Sequence, residues 1–295
     1  MAPTNRDRTA RIKTYAIVNL IISNLEGMIA TEPVLPLVSV ITVVFNGEKF
    51  IEKTMKNVLG QNYSNIEYIL IDGGSTDRTL EIVDRYNSRL TYFVSEPDRG
   101  IYDAMNKGID VARGTWVIFM NAGDEFKTDD TVSKSVIQMH GNASIFYGGV
   151  EICYPGFSRV ENPGPIIKLW QGMQFCHQSA FINLQYHKLN KYNINNLIAA
   201  DLEFFFSAYR KGMKFGKLNC VISKVITGGL SENSRVSTLI ASCNAVCKNE
   251  PLYFIRAFYG ILIVDAVMRI LAKSILPKTW VRKIIINKQR SKYED

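Results

Sequence analysis

The sequence predicts an α/β fold, a mostly parallel sheet flanked by helices and followed by a helical C-terminal extension. Three observations carry that expectation. VSVITVVF at 38–45 is a β-branched run of the kind that parallel sheets bury on both faces. From there, short apolar runs alternate with stretches of helical spacing, the β-α-β-α-β order of a parallel sheet with right-handed crossovers. A chain of 295 residues, 47% hydrophobic and 21% charged, can also bury a full core in one large domain.

The elements follow in order. Residues 1–36 form an N-terminal extension in which Arg6, Arg8, Arg11 and Lys13 precede the apolar run YAIVNLII. Asn19 interrupts that run and no small-residue cleavage site follows, so an uncleaved segment is expected, packed on the protein or touching a membrane. Pro33 and Pro36 punctuate the chain before the first strand, which Asn46-Gly47 ends in a turn. Residues 48–60 place Phe50, Ile51, Met55, Val58 and Leu59 at helical spacing, and IEYILID at 66–72 reads as the next strand. Thr76–Asn87 is a helix, LTYFVSE a strand, Ile101–Ala112 a helix and WVIFM at 116–120 a strand. Two of these strands run into acidic, glycine-bearing turns, IDGGSTD and NAGDEF. In an open α/β sheet ligands bind there, because strand carboxyl ends and helix N-termini converge and offer backbone N–H groups beside carboxylates.

Charge and cysteine usage narrow the class. From Lys248 to Asp295 ten Lys or Arg stand against four Asp or Glu, a net of +6 out of +8 for the whole chain. Within that basic tail, Asp265, Arg269 and Lys273 recur every fourth residue on an otherwise apolar helix. Such a helix either lies in a membrane interface beside anionic head groups or packs on the domain with its charges solvated; it is too charged to span. Nucleic acid is not expected as a partner, because no stacking aromatics or reader motif accompany the basic residues. The five cysteines are odd in number and none forms a C-x-x-C pair, which favours a reducing cytoplasm over a disulfide framework or zinc site.

VSVITVVFN, IDGGSTD, SEPDRGIYDAMNKG and NAGDEF, with CHQSAFI at 176–182, AADLEFFF at 199–206 and GGLSENS at 228–234, resemble the blocks of family 2 glycosyltransferases. The likeness is to the subgroup of bacterial exopolysaccharide, colanic acid and O-antigen clusters. It covers roughly residues 37–235 as the catalytic domain, leaving 236–295 as a basic amphipathic region. It implies a GT-A (Rossmann-like) fold and an inverting, metal-dependent transfer of one sugar. It implies a nucleotide-diphosphate sugar as the donor and, together with the basic tail, a hydroxyl of a lipid-linked saccharide at the inner face of the cytoplasmic membrane as the acceptor. A nucleotidyltransferase that makes sugar nucleotides, or a non-catalytic nucleotide-sugar-binding relative, are the alternatives. The former needs a glycine- and basic-rich phosphate loop that VVFNGEKF does not supply.

The site residues follow from the chemistry and the resemblance together. A carboxylate cannot hold a diphosphate directly, so Asp124 implies a bridging divalent cation, Mn²⁺ or Mg²⁺, with Glu125 as a possible helper. Gly123 stands where relatives often carry a ribose-binding Asp, and Gly73 where they carry a base-reading one. Asp72 and Asp98 are candidates for base or ribose contacts, and Phe45 either stacks on the base or belongs to the core. Asn106 sits at a frequent family position, as a nucleotide contact or a brace for the turn below it, and Asp77 is expected to cap a helix. A sugar hydroxyl is a poor nucleophile, so an inverting enzyme needs a general base; Asp201 fits that place, with Glu203 as fallback. His177 and Gln178 are candidate acceptor or diphosphate contacts.

Overall fold

A computed structural model describes residues 35–226, 235–248 and 253–275. The GGLSENS block, the N-terminal extension up to residue 34 and the tail beyond 275 lie outside the described residues. The described residues from Leu37 onward belong to one compact unit.

Strand β1 (Val38–Val44) is buried along its whole length. Helix α1 (Ile51–Leu59) returns the chain to β2 (Ile66–Asp72), α2 (Thr79–Asp84) to β3 (Tyr92–Ser95), and α3 (Ile101–Val111) to β4 (Trp116–Phe119). All three pairings, β1 with β2, β2 with β3 and β1 with β4, are parallel. Alternate residues of β1 feed opposite faces, as the two-residue period requires. Ile41 and Val43 join the core under α3, while Val38, Val40 and Val44 join the one that holds Ile51, Met55 and Val58 of α1. Fully burying each such side chain stabilises the fold by about 1.5–3 kcal/mol.

Beyond β4 the sheet changes character. Strands β5 (Glu125–Phe126), β6 (Ile145–Tyr154), β7 (Phe157–Glu161), β8 (Ala180–Asn183) and β9 (Phe215–Ile226) complete a nine-stranded sheet. Its main path runs β3-β2-β1-β4-β8-β6-β9-β5, with β7 paired to β6. β8 is antiparallel to β4 and to β6, whereas β6 and β9 are parallel. The sheet is therefore parallel through its first four strands and mixed afterwards. Between β1 and β4 the chain switches from one side of β1 to the other, and the crevice at their carboxyl ends is where such a sheet takes ligands.

Helix α4 (Thr131–Gln138) lies between β5 and β6, and α5 (Leu184–Leu189) and α6 (Ala200–Arg210) follow β8. Helices α7 (Arg235–Cys247) and α8 (Tyr253–Ile275) end the described chain. They join the main core through Val246, Cys247, Ile255 and Tyr259. Trp170 packs edge-on against Phe254 and Phe258 of α8, with ring centroids 5.6 and 5.1 Å away. Tyr253, Phe254, Ile261, Val264, Val267, Met268, Ile270 and Leu271 of α8 are exposed. No helix among the described residues is long and apolar enough to cross a membrane. The pattern of charges on α8 is altered by pairing, since Asp265 and Arg269 form a salt bridge of 2.8 Å.

Candidate active site

The turns that follow β1, β2, β3 and β4 lie at the same, carboxyl end of the parallel strands. The β1 turn is knitted to the β2 turn: the Asn46 N–H donates to Ser75 Oγ (2.7 Å), the Thr76 N–H to Asn46 Oδ1 (2.9 Å) and the Gly47 N–H to Thr79 Oγ1 (2.8 Å). Asp77 accepts from the Thr79 N–H (3.0 Å) and the Glu48 N–H (3.1 Å) and so brackets the turn before the helix; the N-cap position itself is Arg78, one residue later than the expected cap. That bracket starts α2 at Thr79, three residues later than the sequence spacing suggests.

Asp72 does not face a nucleotide. Its carboxylate is wholly buried, and Oδ2 accepts from the Gly74 and Ser75 N–H groups (3.0 and 2.9 Å) and from Ser95 Oγ (2.6 Å). Oδ1 takes the Ser75 hydroxyl at 2.5 Å. The expected base or ribose contact is corrected to a turn-building role, because both oxygens are satisfied from within. Asn106 is corrected likewise: its Nδ2 donates to the Tyr192 carbonyl (2.9 Å) and its Oδ1 accepts the Tyr192 N–H (3.0 Å), bracing the loop before α6. Phe45, by contrast, is no core residue; it is 64% exposed at the mouth of the crevice. Asp98 is half-buried beside it, with Oδ1 accepting the Gly100 N–H at 2.8 Å.

Asp124 lies on the β4–β5 turn, which α1 holds in place. Thr54 Oγ1 accepts the Gly123 N–H (2.9 Å) and donates to the Asp124 carbonyl (2.8 Å). Gly123 has φ +105°, a left-handed conformation that strains any side chain, which explains why no carboxylate precedes Asp124 here. Asp124 itself is 8% exposed, and burial pushes its carboxyl up to about 6 despite a 2.8 Å hydrogen bond from Gln178 Nε2 to Oδ2. Glu125 is paired with Lys53 at 2.6 Å. Cys176 Sγ donates to Gln178 Oε1 (2.7 Å), which turns the amide so that its nitrogen meets Asp124. Burial pushes that thiol up to about 12, so it serves as a neutral donor.

Asp201 sits in the first turn of α6, where the helix dipole favours a negative charge. Oδ1 accepts the Leu202 N–H (2.8 Å) and the Tyr102 hydroxyl (3.1 Å), the latter shared with the Ile198 carbonyl. Oδ2 lies 3.5 Å from His177 Nδ1. Burial opposes the charge, yet His177, the Leu202 N–H and Tyr102 outweigh it and hold the carboxyl below its ordinary range. His177 Nε2 in turn lies 3.5 Å from Asn121 Nδ2. One chain of side chains thus links the metal-type carboxylate's turn to the base-type carboxylate. Glu203 is corrected as a fallback, since Asn193, Asn196 and Lys248 all hold its carboxylate.

Sequence reasoning missed Thr54, Tyr102, Asn121 and Cys176. Thr54 carried a usable signal, a hydroxyl amid Ile51, Met55 and Val58 on the buried face of α1. Tyr102 and Cys176 carried no such signal, since both residue types are compatible with an ordinary core position.

Among the described residues no group of three or more His, Cys, Asp or Glu could hold a metal unaided. The β4–β5 turn nevertheless offers hard oxygen donors. Asp124 has one carboxylate oxygen engaged by Gln178, and the buried Asn121 Oδ1 has no partner among the described residues. Those donors fit Mg²⁺ or Mn²⁺, which complete their coordination with phosphate oxygens and water.

Comparison with known proteins bears on the fold and the family. An uncharacterized glycosyltransferase of Mycobacterium tuberculosis is 36% identical over 180 residues, 59% of this chain and 69% of the relative. A PGL/p-HBAD biosynthesis glycosyltransferase of the same species is 30% identical over 175 residues, 57% and 68% of the two chains. Among solved structures, Staphylococcus aureus TarS with UDP superposes with a TM-score of 0.56 at 16% identity, covering 71% of this chain and 65% of that one. Mannosyltransferase PcManGT from Pyrobaculum calidifontis, in complex with GDP-Man and Mn²⁺, gives 0.57 at 15% identity over 88% and 81%. At such identities the likeness is one of fold, the GT-A glycosyltransferase fold. The sequence profile of Glycosyl transferase family 2 matches residues 39–213, more than half of the chain, and the protein belongs to that family.

Proposed function

We propose that the protein is an inverting glycosyltransferase that moves one sugar from a nucleotide-diphosphate sugar to a hydroxyl of a lipid-linked saccharide. The observation that carries this reading is the continuous set Asp124, Gln178, Cys176 on one side and Asn121, His177, Asp201 on the other, at the carboxyl ends of β1 and β4.

Asp124 and Asn121 would hold the divalent cation against the diphosphate. When bound, that cation neutralises the charge developing on the departing nucleoside diphosphate. Gln178 keeps Asp124 aimed, and Phe45 and Asp98 receive the nucleoside end. Asp201 takes the proton of the attacking hydroxyl. Its Oδ1 is occupied by Tyr102 and the Leu202 N–H, so the proton goes to Oδ2, which otherwise faces His177 Nδ1 at 3.5 Å. A carboxylate held at low basicity accepts that proton only as the new C–O bond forms and the hydroxyl turns acidic, which couples deprotonation to attack. Attack opposite the leaving group inverts the anomeric configuration.

The acceptor side and location rest on α8. Its outward residues Tyr253, Ile261, Val264, Met268 and Leu271 suit a helix lying on a bilayer, and the basic tail suits anionic head groups. The protein would then work peripherally at the cytoplasmic face of the membrane, in the synthesis of a surface polysaccharide. The test is a panel of UDP-, GDP- and dTDP-sugars with Mn²⁺ or Mg²⁺, following nucleoside diphosphate release with and without a lipid-linked acceptor. Pyrophosphate release from a nucleoside triphosphate would instead point to nucleotidyl transfer.

A further inference from the structure

We infer that Cys243, Cys247 and Tyr259 form a binding site for one soft, two-coordinate cation of the Cu(I) class, separate from the residues of the crevice and independent of the transfer chemistry. The two cysteines stand four apart on α7, a spacing that sets side chains one above the other on a helix face. Their thiols hydrogen-bond to one another. Cys247 is 7% exposed, and Cys243 is half-buried against the main core. Tyr259 of α8 reaches the same point. Burial holds its phenol above the ordinary tyrosine range and charge on Cys243 or Cys247 adds to that, which places the hydroxyl beside both sulfurs. Tyr259 is 1% exposed, and among the described residues its hydroxyl has no hydrogen-bond partner. Leaving such a group unpaired costs about 1–3 kcal/mol. A thiol is a weak acceptor, whereas a thiolate beside that hydroxyl would take its proton in a full hydrogen bond.

A cation supplies that state. Burial and the neighbouring Cys247 thiol keep Cys243 protonated, and the carboxyl end of a helix disfavours bare anions, so the pair ionises only when an ion replaces its protons. Each thiol then releases its proton to solvent, both sulfurs bind the ion, and no electron is transferred. Arg256, whose charge already favours the Cys243 thiolate, offsets the single negative charge that remains. Geometry and ligand count select the ion. Side chains four apart on a helix have Cβ atoms about 5–6 Å apart, more than the roughly 3.5–4.5 Å of a disulfide. A linear sulfur–metal–sulfur bridge spans about 4.6 Å, twice a metal–thiolate bond, and fits the undistorted helix. Zinc takes four ligands, and among the described residues no group of three or more His, Cys, Asp or Glu could hold a metal. Two thiolates without further ligands suit a soft monovalent ion.

Loading the full chain with Cu(I), and with Ag(I) as a redox-inert stand-in, tests this in oxygen-free buffer containing an excess of a monothiol competitor. The unaltered protein is expected to retain one ion per chain, with two sulfur neighbours in X-ray absorption and with Cys243 protected from alkylation. The paired change Cys153→Ser and Cys220→Ser should leave retention intact, and Cys243→Ser should abolish it. Tyr259→Phe should weaken the ion about 10- to 100-fold in competition with the monothiol, the range for a partner that hydrogen-bonds a metal ligand. No ion held against the monothiol, a coordination shell of three or more sulfurs, or full retention by Cys243→Ser would overturn the site. A Cys243–Cys247 disulfide formed on exposure to oxidised glutathione would overturn the ion in favour of a redox pair. Unchanged affinity in Tyr259→Phe would overturn the part given to the phenol. Stoichiometry, sulfur count and Cys243 protection are read on the unaltered protein, so the test survives a variant that fails to fold.

Discussion

Replacing Asp124 with Asn is expected to stabilise the metal-free protein near neutral pH while abolishing transfer. The carboxyl titrates near 3.8 in an unfolded chain and is pushed up to about 6 by burial in the fold. A group raised in this way favours the fold most below its unfolded value, and that contribution is lost as pH rises through the folded value. At about 1.4 kcal/mol per pH unit, the ionised carboxylate costs up to about 3 kcal/mol above pH 7. Asn keeps the shape and can still accept from Gln178 Nε2, now through its amide oxygen, so little else changes. Urea unfolding in a chelator should show a gain of about 1–3 kcal/mol at pH 7.5, shrinking to about 1 kcal/mol or less at pH 4.5, where the native carboxyl is already protonated. A loss of stability at pH 7.5, or a gain that does not shrink in acid, would refute the reasoning.

Phe45→Ala should leave the unfolding midpoint within about 0.5 kcal/mol, as expected for an exposed side chain, yet weaken nucleotide binding about tenfold through lost stacking, measured by calorimetry. Asp72→Ala and Asn106→Ala should behave oppositely. Each strands buried donors or acceptors and should cost about 2–4 kcal/mol in urea unfolding, with activity falling only as folding does. Ile261→Glu combined with Met268→Glu should abolish sedimentation with anionic vesicles and leave turnover of a water-soluble acceptor unchanged.

The nucleotide half of the fold was legible because its signals are local. VSVITVVF, IEYILID and WVIFM are buried along nearly their whole length, so hydrophobic runs mark them without ambiguity. The second half was not. Strands β6, β8 and β9 pair across more than thirty residues of intervening chain, and no local period records which strand lies beside which. The site divides the same way. Asp124, His177, Gln178 and Asp201 could be named from residue type and block order, and the fold brings them together. Asp72 misled because a buried carboxylate that builds a turn and one that binds a ligand look alike in sequence; only the four donors around it tell them apart. Gly73 and Gly123 looked alike too, yet one lacks space and the other requires a left-handed backbone.

Asp201→Asn, assayed for sugar transfer with the donor and acceptor that the panel identifies, bears most directly on the proposed chemistry. The amide keeps its acceptor oxygen for Tyr102 and the Leu202 N–H but cannot take a proton from the attacking hydroxyl. The expected result is a fall in turnover of about 10²- to 10⁴-fold with donor affinity unchanged, the size of a lost general base. Transfer at the unaltered rate would contradict the assignment of Asp201 as the base.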